Sequence, residues 1–287
     1  MKPKGLKTRI FLDGADPEET KQVLGLLGFL DGQTTNPTLI SKNPEVRGRL
    51  EKGEKFIEKE ILSFYRDTVK EISGLLPRGS ISVEVYADRS TTAEKMLKQG
   101  KEMFSWIPNA HVKFPTAKEG LKAAERALKE GLRINMTLCF SQPQAAAVYA
   151  ATHGAKKGDV YISPFIGRLD DRGENGMDLI RNVIKMYERG DGHVEVLTAS
   201  VRNLNHFLYA INLGSDIITS PFKILKEWAE KGLPTPGGDF KYPAGDLRPI
   251  PYREIALDRK WEDYDLRHEL TDQGMEKFSE DWNALIK

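Results

Sequence analysis

Eight short β-prone runs, each separated from the next by a longer stretch with helical spacing, leave this chain very few folds. The runs lie near Arg9–Asp13, Gly32–Thr35, Ile81–Tyr86, His111–Phe114, Arg133–Cys139, Asp159–Phe165, Glu195–Val201 and Asp216–Thr219. Between them apolar residues recur at three- and four-residue spacing, as in Leu121, Ala124 and Leu128 or Leu179, Val183 and Met186, which is the pattern of amphipathic helices. Strand–helix alternation of this kind builds parallel sheets. Eight units in about 220 residues is the count of a closed (β/α)8 TIM barrel. An open doubly wound sheet is the alternative, but no Gly-x-Gly-x-x-Gly follows the first strand. The expected fold class is α/β, a single (β/α)8 barrel domain over about 8–231, then a Pro/Gly-rich C-terminal excursion at 232–270 and a terminal helix at 271–287.

Two segments fall outside the repeat. Residues 44–79 are longer than one connection requires; Ile57, Ile61, Phe64 and Val69 among Glu/Lys pairs predict a solvated amphipathic helix there. After Gly232, five prolines and three glycines (Pro234, Pro236, Gly237, Gly238, Pro243, Gly245, Pro249, Pro251) predict an irregular path; it could cover the mouth of the barrel, but is expected rather to decorate the surface or meet another subunit. A last helix is expected from a cap at Thr271 or Asp272, with Met275, Phe278, Trp282 and Leu285 on one face. That stripe needs cover from its own barrel or from a neighbouring subunit.

Charge and cysteine usage narrow the partners. Lys+Arg 43 against Asp+Glu 42 gives a net charge of +1, so no electrostatic case exists for nucleic acid. No apolar run approaches the roughly 20 residues that span a bilayer, and the basic start Met-Lys-Pro-Lys-Gly-Leu-Lys is followed by no apolar core, so neither a membrane segment nor a signal peptide is expected. One cysteine, Cys139, excludes an internal disulfide framework and fits a reducing, cytoplasmic setting. The five histidines show no metal-ligand spacing, which disfavours metal chemistry, although scattered carboxylates could still hold a hard cation. No cofactor is expected.

Polar residues then recur on one parity at the strand ends. In a barrel, alternate residues of each strand point inward and reactive groups gather at the C-terminal ends. Strand one ends in Asp13; strand two runs into Thr34-Thr35-Asn36-Pro37; strand three alternates Ser82, Glu84 and Tyr86 with Val83 and Val85. Strand four holds Lys113 between Val112 and Phe114, strand five Asn135 and Thr137, strand six Ser163 and Phe165 with Arg168 beyond, strand seven Ser200 and Arg202. Each has a bland reading: Asp13 or Asn36 as a cap, Glu84, Arg168 and Arg202 as ion-pair partners, Thr137 and Ser163 as ordinary strand residues. Lys113 itself could be paired or rim-exposed, or could be kept as a desolvated amine, the nucleophile that forms a Schiff base with a carbonyl. Two carboxylates, an amide and a lysine converging on one end of one barrel weaken the bland readings, because a core built for stability alone would be apolar there.

These residues sit in runs that resemble the transaldolase family, including its short relatives the fructose-6-phosphate aldolases: Phe-Leu-Asp-Gly-Ala-Asp (11–16), Thr-Thr-Asn-Pro (34–37), Val-Glu-Val (83–85), Val-Lys-Phe-Pro (112–115), Ile-Asn-Met-Thr-Leu-Cys-Phe-Ser (134–141), Ile-Ser-Pro-Phe-Ile-Gly-Arg-Leu-Asp (162–170) and Ala-Ser-Val-Arg-Asn (199–203). The runs occur in family order over about residues 9–230, and Glu-Lys-Phe-Ser-Glu-Asp-Trp-Asn (276–283) is similar to the last helix of the short members. The stretches 233–256 and 258–268 depart from the pattern.

The resemblance implies metal-free class I aldolase chemistry. Lys113 matches the Schiff-base lysine, Asp13 the carboxylate that takes the C4 hydroxyl proton, and Glu84 with Thr137 the pair that holds a proton-shuttling water. Asn36, Asn135 and Ser163 match residues binding the dihydroxyacetone hydroxyls; Arg168, Arg202 and Ser200 match the phosphate site, where guanidinium forks suit a dianion. Glu84 and Phe165 stand where the short aldolases resemble a glutamine and a tyrosine, which implies transfer of a dihydroxyacetone unit between phosphorylated ketose and aldose sugars, within the pentose phosphate pathway, rather than its release. A homo-oligomer is expected.

Overall fold

Register partners on neighbouring strands leave the sheet on the same face, and that rule places the polar residues of this chain. In the computed structural model, which describes residues 2–238 and 240–287, eight parallel strands close into a barrel in chain order. They are β1 (Arg9–Asp13), β2 (Gly32–Thr34), β3 (Ser80–Glu84), β4 (Ala110–Pro115), β5 (Ile134–Cys139), β6 (Val160–Pro164), β7 (Val194–Thr198) and β8 (Ile217–Ser220). The expected (β/α)8 barrel is therefore what the chain forms. Glu84 pairs in register with Lys113, and Lys113 with Asn135, so three polar side chains enter the barrel side by side. The alternate positions, Ile10, Leu12, Val83, Val112 and Phe114, are buried in the layer between sheet and helices.

Helix starts are written locally. Asp16, Asn36, Asn43, Thr92, Ser141, Asn175 and Asn203 each cap a helix through a side-chain oxygen, and Pro17, Pro37 and Pro44 stand where a free N–H is not needed. The segment 44–79 is two helices, Pro44–Glu51 and Glu58–Leu75, rather than one. The break falls at Gly53, whose φ of 77° is left-handed. The helix Lys118–Lys129 presses Gly120 onto β4: a Cβ there would stand 1.9 Å from the Pro115 carbonyl oxygen. Gly120→Ala should therefore lower unfolding free energy by about 3 kcal/mol, read from urea denaturation; a loss under about 1 kcal/mol would mean the helix slides freely on the strand.

The two ends of the barrel differ. The N-terminal end is filled by Phe11, Tyr161 and His111, with His111 stacked on Tyr161 at 4.1 Å and Arg9 joined to Tyr161 and Glu195. Burial holds the His111 imidazole down at about 3. Cys139, at the end of β5, is buried, and burial pushes its thiol up to about 12. No described helix is long and apolar enough to cross a membrane.

Beyond Gly232 the chain straps the outside of its own barrel, running backwards past the helices. Trp228 donates to Pro234 O, Asn182 to Ile250 O, Gln142 exchanges two hydrogen bonds with Arg253, and Trp261 reaches Glu125. The strap delivers a helix, Glu269–Asn283, across the C-terminal mouth. It begins earlier than the capping signals imply: His268, not Thr271 or Asp272, is the cap, accepting from Leu270 N–H through Nδ1. Thr271 is instead spent on the barrel, donating to Leu138 O at 3.0 Å. The apolar stripe Met275, Phe278, Trp282 and Leu285 is buried against the same chain, with Trp282 against Tyr65 and Asp281 bonded to Thr38.

Candidate active site

Lys113 lies at the floor of the mouth with its Nζ 2.7 Å from Glu84 Oε2 and donating to Thr35 O at 3.1 Å. Both side chains of the pair are about 5% exposed or less. Burying an ion pair gains little over a well-packed apolar pair, so stability gives no reason to keep it. Glu84 is pushed above the ordinary carboxylate range by burial, opposed by Lys113 and reinforced by the charge of Asp13. Asp13 is raised by burial too, against the pull of Lys113, a 2.8 Å hydrogen bond from Thr34 Oγ1, and Lys42.

A cavity of about 250 Å³ opens above the amine. Asp13, Asn36, Lys113, Ser163, Phe165, Arg168, Ser200 and Arg202 line it. Asn135 sits behind that wall, accepting from Ser163 Oγ at 2.7 Å and donating to Ser82 Oγ. Thr137 is fully buried at the end of β5, and among the described residues its hydroxyl has no protein partner. Directly after it, Leu138 takes φ 59° and the β5–β6 register slips. A leucine in that region costs about 1 kcal/mol or more, and its carbonyl oxygen accepts from Thr271 of the final helix at 3.0 Å. Asn36 Oδ1 caps the helix Pro37–Lys42, as its bland reading held, and the residue also lines the cavity.

The outer wall is cationic. Arg168 is half-buried between the rings of Phe165 and Phe278, at 5.7 and 5.6 Å, and among the described residues no protein acceptor bonds it. Burial and the like charge of Arg202 hold its pKa below the usual arginine value. Arg202, more exposed, pairs with Asp171 at 2.7 Å. Sequence reasoning did not single out Lys42, Lys277, Thr38 or Thr219, which also line the cavity, and it placed Phe278 only in an apolar stripe. Thr219 stands at the end of β8 and was open to the same parity argument; Thr38 and Lys42 come from the helix Pro37–Lys42, and only Lys277 and Phe278 are brought there by the final helix. Two wider depressions, of about 770 and 750 Å³, lie between strap and helix Gln142–Ala151 and at the opposite barrel end. Neither meets the buried amine.

The arrangement offers one buried amine, two raised carboxylates within its field, an unpartnered hydroxyl, and paired guanidiniums at the far side. Comparison with known proteins adds to it. The family profile described as Transaldolase/Fructose-6-phosphate aldolase matches residues 10–287. Among curated relatives, a probable transaldolase of Dehalococcoides mccartyi is 35% identical over 97% of this chain and 100% of its own length. One of Roseiflexus sp. is 35% identical (96% and 97%), and one of Caulobacter sp. 36% identical (96% of each).

Proposed function

Given that this chain belongs to the transaldolase/fructose-6-phosphate aldolase family, we propose that it transfers a dihydroxyacetone unit from fructose 6-phosphate to erythrose 4-phosphate through a Schiff base on Lys113. The observation that carries this reading is the buried 2.7 Å Lys113–Glu84 contact at the base of a cation-rimmed cavity.

Glu84 takes a proton from the ammonium, and the freed amine attacks the ketose C2 carbonyl. A water held between Glu84 and the Thr137 hydroxyl relays the protons of carbinolamine formation and dehydration. In the resulting iminium ion, Asp13 removes the C4 hydroxyl proton; the C3–C4 bond breaks, and its electron pair passes to the iminium nitrogen. Glyceraldehyde 3-phosphate leaves while the three-carbon enamine stays on Lys113, held by Asn36, Asn135 and Ser163. The enamine carbon then attacks the aldehyde of erythrose 4-phosphate, Asp13 returns its proton to the new alkoxide, and hydrolysis releases sedoheptulose 7-phosphate. Arg168 and Arg202 with Ser200 hold the phosphate, and their separation from Lys113 selects sugars of six and seven carbons.

Borohydride added with fructose 6-phosphate should leave a covalent adduct on Lys113, located by peptide mass analysis. An unmodified protein, or an adduct on another lysine, would end the proposal. Glu84 and Phe165 favour transfer over release, so a coupled assay without acceptor aldehyde should detect free dihydroxyacetone at well under the transfer rate. Equal rates would make the chain an aldolase.

A further inference from the structure

The two arginines at the cavity rim come from different turns, and their separation has to be set by something. Past β6 and β7 the turns keep pairing: Ile166 N–H donates to Ala199 O and Gly167 N–H to Ser200 O, each at 3.1 Å. Ser200 then takes φ 61° and the ladder ends. The backbones are close enough that a Cβ on Gly167 would stand 2.3 Å from Arg202 Nε. Beyond the ladder one buried imidazole joins both turns. His206 Nδ1 accepts from the Arg202 backbone N–H at 3.3 Å, which puts the ring proton on Nε2, 2.8 Å from Asp170 Oδ2. Asp170 lies two residues after Arg168, and its other oxygen accepts from Gly176 N–H. Tyr242 of the strap walls the imidazole at 5.9 Å and stacks on Tyr209.

We propose that the His206–Asp170 pair is a positioning device for anion binding, locking the turn that carries Arg168 to the turn that carries Arg202 so that both guanidiniums meet one phosphate. The inference rests on the phosphate role given to those arginines above. Both are cations facing the same cavity, and without a bound anion they repel; an imidazole in contact with both turns holds them together. His206 does not line the cavity, so its effect reaches the ligand only through the arginines. The strap acquires a part in this, because Tyr242 closes the outer side of the clamp.

The test uses the full chain and two readouts: calorimetric binding of inorganic phosphate, and borohydride trapping with fructose 6-phosphate or with unphosphorylated fructose. His206→Phe should weaken phosphate binding and raise KM for fructose 6-phosphate by about tenfold, with kcat within about threefold of the parent. Trapping with unphosphorylated fructose should be unchanged. His206→Gln, whose amide can still donate to Asp170, should recover most of the loss. Should phenylalanine not fit, Asp170→Asn, which offers one acceptor to two donors, carries the same expectation. Parental phosphate affinity in these variants would overturn the clamp, as would equal loss of trapping with both sugars, the mark of general disruption. A parent chain that neither binds phosphate nor is trapped by either sugar would take down the phosphate reading itself, and the clamp with it.

Discussion

Lys113→Met should lose turnover by about 10⁵-fold, the scale expected when a covalent nucleophile is removed, and should yield no borohydride adduct. Methionine keeps length and apolar bulk, so the loss isolates the amine. Fructose 6-phosphate should still bind, because Arg168 and Arg202 are untouched. Binding retained without turnover separates this enzyme reading from a passive sugar-phosphate binder, in which the variant would behave like the parent. The substitution also removes the cation that opposes burial at Glu84, and the sign of the pH effect follows. An acid raised in the folded state binds protons more tightly there than when unfolded, so folding is favoured below the ordinary carboxylate range and weakens as pH rises through the raised value. Without Lys113 that value climbs further. Urea midpoints should therefore fall more steeply for the variant than for the parent as pH rises above the ordinary carboxylate range. A parallel decline would mean that Glu84 does not feel the lysine.

The second large effect belongs to Asp13. Asp13→Asn should cut kcat for cleavage and transfer by about 10³-fold, within the range for a positioned acid–base group, while adducts on Lys113 still form. Asparagine keeps the acceptor for Thr34, so geometry survives and only the proton-accepting charge is lost. The Asp13 carboxylate is held above its usual range by burial, so its charge costs stability at neutral pH. The variant should match or exceed the parent in thermal midpoint. In the parent, activity should rise as pH climbs through that raised carboxylate value, and in Asp13→Asn this acid limb should flatten. Trapping lost as completely as in Lys113→Met would move Asp13 out of the cleavage step and into imine formation.

The strands were legible because each is a compact β-prone run closed by a turn signal, and strand parity is robust: Glu84, Lys113 and Asn135 needed only alternation to be placed inside. Alternation stops being informative where the backbone leaves the strand. The left-handed Leu138 and Ser200 could not be foreseen from side chains that ordinarily avoid that region. The split of 44–79 did have a signal, Lys52-Gly53-Glu54 between two amphipathic stretches, which the Glu/Lys texture on both sides masked. His268 as a cap and the strap's path had none. The strap is held largely by side chains such as Asn182 and Gln142 bonding backbone carbonyls of irregular chain, contacts that carry no periodicity. For the same reason Lys277, brought to the rim only by the final helix, stayed out of sight.

The chain's one thiol is Cys139, sealed at the end of β5 with its ionisation suppressed. Maleimides and similar reagents attack thiolates, so the native protein is in effect blank to them. A cysteine introduced on the exposed side of the helix Glu269–Asn283 would then be the sole labelling point, and a fluorophore there could follow movement at the cavity entrance without a cysteine-free background first being built.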